Sequence, residues 1–132
     1  IAVLQTMLEQ NLPEQVKEKG SGLRQALQQE FAEYPNVGDV RGRGLFLGIE
    51  LVQDKQTKEP LNPKFNLPEQ IRHTAMQHGL LCYPMGGTID GRRGHHVLLA
   101  PPFIINDAEL ELIVERLSST LNAILPALDQ AA

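Results

Sequence analysis

The sequence predicts an α+β fold in which a small antiparallel sheet of three to four strands packs against helices. Three observations predict it. A length of 132 residues suits one core. Apolar residues recur at helical spacing near both ends and in the middle, whereas Leu45, Leu47, Ile49 and Leu51 alternate as in a half-buried strand. Strand and helix signals are also mixed without a regular strand–helix alternation, which favours α+β over a parallel sheet. Residues 1–132 are read as one unit, with leading helices over 1–34 and the sheet with its helices over 37–125.

The elements follow in order. Val3, Leu4, Met7 and Leu8 already hold helical spacing, with no initiator Met and no polar lead-in. The expectation is that the chain opens inside a helix of a longer polypeptide. That helix stops near Asn11. Pro13, at a first-turn position, then opens a second helix running toward Tyr34, with Val16, Leu23, Ala26, Leu27 and Phe31 on its apolar side. Gly20 and Gly22 weaken it and permit close packing against a neighbour, and Pro35 ends it. "VGDVRGRGLFLGIELV" reads as a short strand at Val37 and Val40, a turn at "RGRG" and a longer strand. Its second face (Phe46, Gly48, Glu50, Val52) is half apolar, so something covers part of it. Residues 53–66 are a polar surface excursion. "NLPEQIRHTAMQHG" is a helix ended by Gly79. "LLCYP" and "HHVLLA" are strands. Asn106 and Glu109 form a capping box for a helix through Leu110, Ile113, Val114, Leu117, Leu121 and Leu125.

Composition excludes several functions. A net charge of −4 with no basic run argues against a nucleic-acid partner, and the absence of Trp argues against a base-stacking platform. The single Cys82 allows neither an internal disulfide nor a Cys-based zinc site, and its apolar context suits an inert thiol. No apolar run approaches the roughly 20 residues that span a bilayer. No signal peptide is visible, so a cytoplasmic protein without a membrane partner is expected.

Candidate chemistry is sparse. His95 and His96 are adjacent on a strand and point to opposite faces, while His73 and His78 are five apart on a helix, so neither pair shares a metal. Ser21, Ser118 and Ser119 lack a nucleophile-elbow context. Lys17, Lys19, Lys55, Lys58 and Lys64 all stand in polar stretches, whereas a Schiff-base lysine must be desolvated. Arg92 and Arg93, in a glycine-flanked loop, remain as a fork for a carboxylate or phosphate, against the alternative of a solvated loop tip paired with Asp90. Arg41 and Arg43 carry the same ambiguity.

Taken together, "VGDVRGRGLFLGIELV" followed by "DKQTKEP", then "HGLLCYPMGG", then "HVLLAPPFIINDAELELIVERL" resemble the C-terminal small domain of the class III, or ω-amino-acid, aminotransferases of fold-type I. The resemblance implies a parent enzyme that moves an amino group from an amine or ω-amino acid to a 2-oxo acid through pyridoxal 5'-phosphate. It places the cofactor lysine in a large domain upstream, and a homodimer partner beside it. In several such enzymes an arginine in the loop before the "PPF" strand pairs with the substrate carboxylate and swings out when there is none. Arg92 and Arg93 lie in that loop, although Gly91 falls closer to the family arginine's place, and which of the two acts stays open. The chain alone is expected to be inactive and to self-associate through apolar surface. The alternatives are a free-standing small-ligand or regulatory module, and an interaction domain.

Overall fold

The computed structural model describes residues 1–129. Among them the chain forms α1 (Ala2–Glu9), α2 (Leu12–Glu30), β1 (Val37–Arg43), β2 (Phe46–Leu51), α3 (Leu67–Gln77), β3 (Tyr83–Gly86), β4 (His95–Leu99) and α4 (Asp107–Asp129). The pentapeptide "NLPEQ" occurs at 11–15 and again at 66–70, and both copies open a helix alike. Asn11 and Asn66 take left-handed backbone at φ 50° and 47°. Asparagine tolerates that conformation, and the proline behind it gives up an N–H that has no helical partner. Leu12 and Leu67 then drop into the core.

The sheet is antiparallel in the order β1-β2-β4-β3. β2 and β4 are central, and their alternation sorts the two faces. Leu47, Ile49, Leu51, Val97 and Leu99 point to the helices and are buried. On that side they meet Leu23, Leu27 and Phe31 of the α2 segment, Ile71 and Ala75 of α3, and Leu117 and Leu121 of α4. Phe46, Gly48, Glu50, His96 and Leu98 form the opposite face. Phe46 stays 59% exposed and Tyr83 of β3 62%, so much of that face is open, while Val52, bridged to Pro60, is buried.

The last helix starts as its sequence predicts. The Asn106 N–H donates to Glu109 Oε2 at 3.0 Å and the Glu109 N–H to Asn106 Oδ1 at 2.9 Å, a reciprocal capping box. It continues past Leu125 and through Pro126, because Ile124, Leu125 and Leu128 are all buried.

Three boundaries differ from expectation. α2 ends at Glu30 rather than near Tyr34, because Phe31 turns into the core and stacks edge-on against Tyr34 at 5.0 Å. The Tyr34 hydroxyl then donates to Asn122 Oδ1 of α4 at 2.8 Å. β1 runs on to Arg43, so the turn is Gly44-Leu45 and not the whole of "RGRG"; Arg43 pairs with Phe46. Finally, β3 begins at Tyr83, leaving Leu80 to Cys82 as a connection. Pro84 belongs to β3 and is tolerated because β3 is an edge strand, where a missing donor breaks no second ladder.

Candidate functional site

Residues 87–94 connect β3 to β4. Gly87, Gly91 and Gly94 take φ of 77°, 81° and 89°, a region that costs glycine little. The loop closes on itself. The Ile89 N–H donates to the Arg93 carbonyl at 3.0 Å and the Gly91 N–H to the Gly87 carbonyl at 2.9 Å. Asp90 is its organising residue. Its Oδ1 accepts from the N–H of Arg92 at 3.0 Å and of Arg93 at 2.8 Å, and its Oδ2 accepts from Arg93 Nε at 2.8 Å. These donors, the Arg93 amide and guanidinium first, hold the Asp90 carboxyl down at about 2.

The two candidate arginines therefore separate. Arg93 is the internal brace of the loop. The Arg92 guanidinium is exposed and has no hydrogen bond or ion pair among the described residues. Asp90 was in reach of sequence reasoning; which arginine it would hold was not.

His95 follows the loop and is 4% exposed on the helix side. Its Nδ1 is buried without a hydrogen-bond partner, and burial lowers its pKa. His96 turns to the open face. There Arg41 bridges Asp39 at 3.0 Å and Glu50 at 3.3 Å, which keeps its guanidinium charged. Burial and then Arg41 lower the His96 pKa, opposed by Glu50. An apolar cleft of about 650 Å³ runs from Phe46, Tyr83 and Leu98 of that face to Leu80, Ile105 and Ile113 beside α4. Half-buried Cys82 also borders it, its thiol pushed up to about 11 by burial, which leaves it protonated at neutral pH.

The lysines act as tethers. Lys19 Nζ donates to the Ile105 carbonyl at 2.7 Å and fixes the "PPFII" segment to α2. Lys55 Nζ donates to the Ala32 carbonyl at 2.5 Å, Lys58 Nζ to the Gly38 carbonyl, and Lys17 pairs with Glu14 at 3.1 Å. Lys64 is exposed. Among the described residues no three His, Cys, Asp or Glu side chains converge as a metal site. No helix there is long and apolar enough to cross a membrane.

Residues 1–121 match the family profile described as aminotransferase class-III. An uncharacterised aminotransferase of Schizosaccharomyces pombe is 43% identical over 128 residues, which is 97% of this chain and 28% of that relative. The crystal structure of a thermostable (S)-enantioselective omega-transaminase from Thermomicrobium roseum superposes with a TM-score of 0.82 at 31% identity, over 92% of this chain and 25% of that one. A Bacillus anthracis aminotransferase gives 0.80 at 34% identity, over 92% and 26%. The chain thus spans about a quarter of the length of the relatives it matches.

Proposed function

The chain belongs to the class III aminotransferases, and on that premise we propose that it supplies the C-terminal small domain of an enzyme moving an amino group from an amine or ω-amino acid to a 2-oxo acid. Residues 1–132 act as one unit in this reading. Pyridoxal 5'-phosphate would supply the electron sink for that reaction. The residues present do not fit it. A cofactor lysine must be desolvated and free to react, whereas four of the five here are bonded to carbonyls or a carboxylate and Lys64 stands in solvent. The cofactor site is therefore assigned to the remaining part of the family polypeptide, together with the homodimer partner, and the short chain is catalytically silent.

Within that enzyme the 87–94 loop recognises the substrate carboxylate, and Arg92 is the residue that does so. The observation that carries this assignment is the division of labour at Asp90. Arg93 commits its Nε to that carboxylate, while the Arg92 guanidinium has no partner among the described residues. A free guanidinium on a glycine-hinged loop can pair bidentately with a carboxylate or withdraw from an apolar group.

The test has two arms. Incubating the chain with pyridoxal phosphate and borohydride should label no lysine saturably; a single saturably trapped lysine would end the silent-domain reading. In the family polypeptide carrying this segment, Arg92→Ala should raise KM for carboxylate substrates about tenfold or more and leave an uncharged amine unaffected. An equal effect from Arg93→Ala alone, with none from Arg92→Ala, would reverse the assignment.

A further inference from the structure

We propose that the cleft between α2 and the β1–β2 turn binds a small multivalent oxyanion of the phosphate class. Lys17, Ser21 and Arg24 succeed one another at four- and three-residue steps and so share one face of α2. Arg43 reaches the same cleft from the end of β1. What brings the hairpin to the helix is Gly20. A Cβ there would stand 2.1 Å from the Gly44 carbonyl oxygen, so helix and turn meet backbone to backbone. The cleft they enclose is about 240 Å³, suited to a small anion rather than a drug-sized ligand.

The charge balance points the same way. Three cations border the cleft in a chain of net charge −4. Glu14 engages Lys17 at 3.1 Å. The guanidiniums of Arg24 and Arg43 have no hydrogen bond or ion pair among the described residues. Two unpaired guanidinium forks beside an ammonium and the Ser21 hydroxyl offer more donors than one carboxylate can use. A phosphoryl group, with three acceptor oxygens and about −1.5 to −2 charge at neutral pH, matches them. The site is separate from the 87–94 loop. Leu47 pairs with Leu99 and Leu51 with His95, so the turn and the loop lie at opposite ends of the sheet.

Proton–nitrogen correlation spectra of the 132-residue chain, titrated with sodium phosphate at constant ionic strength set by chloride, test this. The Gly20, Ser21, Gly42 and Gly44 amides should shift saturably, and Arg24→Gln with Arg43→Gln should weaken binding about tenfold or more. Arg41→Gln, on the open face, should bind like the parent chain. A parallel titration with glycerol phosphate separates a phosphoester site, which shows both ligands saturating, from a free-phosphate site, which shows only the inorganic ion. Shifts that chloride reproduces, that never saturate, or that persist in the double variant would overturn the proposal. If the double variant loses its folded spectrum, each single variant must still weaken binding.

Discussion

Two loops made of arginine and glycine, "RGRG" at 41–44 and "GRRG" at 91–94, differ in how their arginines are held. In the first, both arginines lie on β1 two residues apart, where strand alternation gives them one face, and their neighbours set them apart. Arg41 meets Asp39 and Glu50 on the open face, and Arg43 is left at the turn beside α2. In the second, no strand imposes direction, and the side chain of Asp90 gathers both backbone amides and one guanidinium. The glycines differ as well. Gly44 is where a helix backbone lands, while a Cβ on Gly91 would meet nothing within 4 Å, so that residue serves its backbone angle alone. Composition nominates both loops, the second ahead of the first; neighbours decide which arginine is left for a ligand.

The largest effect separates close approach from conformational freedom. Gly20→Ala must push α2 off the hairpin, since its Cβ would sit 2.1 Å from the Gly44 oxygen and 2.2 Å from the Gly44 carbonyl carbon. The expected loss is about 3 kcal/mol by denaturant unfolding. Gly22, two residues on in the same helix, has open space where a Cβ would go. Gly22→Ala should stabilise the chain by about 0.5–1 kcal/mol. Equal signs for the two substitutions would mean that helix propensity, not contact with the turn, sets the role of Gly20.

Much of this frame was legible in the sequence because it rests on short-range chemistry. The box at Asn106 and Glu109, the stop at Gly79 and the alternation from Leu45 to Leu51 each depend on residues a few places apart. The opposite facing of His95 and His96 follows from the same two-residue period. What stayed hidden depends on contacts across the fold. The end of α2 is set by where Phe31 and Tyr34 find partners on the core and α4. The start of β3 is set by its register against β4, which slides the strand toward Pro84 and Gly86. The gathering of Arg24 with Arg43 joins residues on separate elements, and no local signal announces it. At the candidate site the loop and both arginines were readable; the preference for Arg92 over Arg93 was not, since it hangs on one side-chain bond from Nε to Asp90.

A smaller effect appears where β4 leaves the "GRRG" loop. Burial depresses the His95 pKa, so the folded state resists a proton that the unfolded chain accepts. Stability is then fully present above the ordinary histidine value of about 6.5 and falls as pH drops below it. His96 adds a term of the same sign. His95→Leu also removes a buried nitrogen that lacks a partner, which should gain about 1 kcal/mol at neutral pH. Denaturant unfolding between pH 7 and 5 should show a shallower acid loss in this variant than in the parent chain. An unchanged slope would assign the loss to His96 or to other groups.

The smallest effect bears most directly on the loop. Asp90→Ala removes the acceptor for two amides and the Arg93 guanidinium while leaving the three left-handed glycines in place. The carboxylate is solvent-exposed and its surface pair adds little, so global unfolding should hardly move. Amide hydrogen exchange at Arg92 and Arg93 should quicken. Acid should likewise lower the protection of these amides in the parent chain, measured against their intrinsic exchange rate at each pH. The carboxyl, held down at about 2 by these donors, grips the loop while it is ionised, and that grip fades as pH falls through about 2. Lower protection in Asp90→Ala, matched by a like loss of protection in the parent chain in strong acid, would establish that the side chain orders the loop. Exchange unaltered in the variant would mean that glycine angles and the loop's backbone bonds suffice, and Arg93 would then be as available to a carboxylate as Arg92.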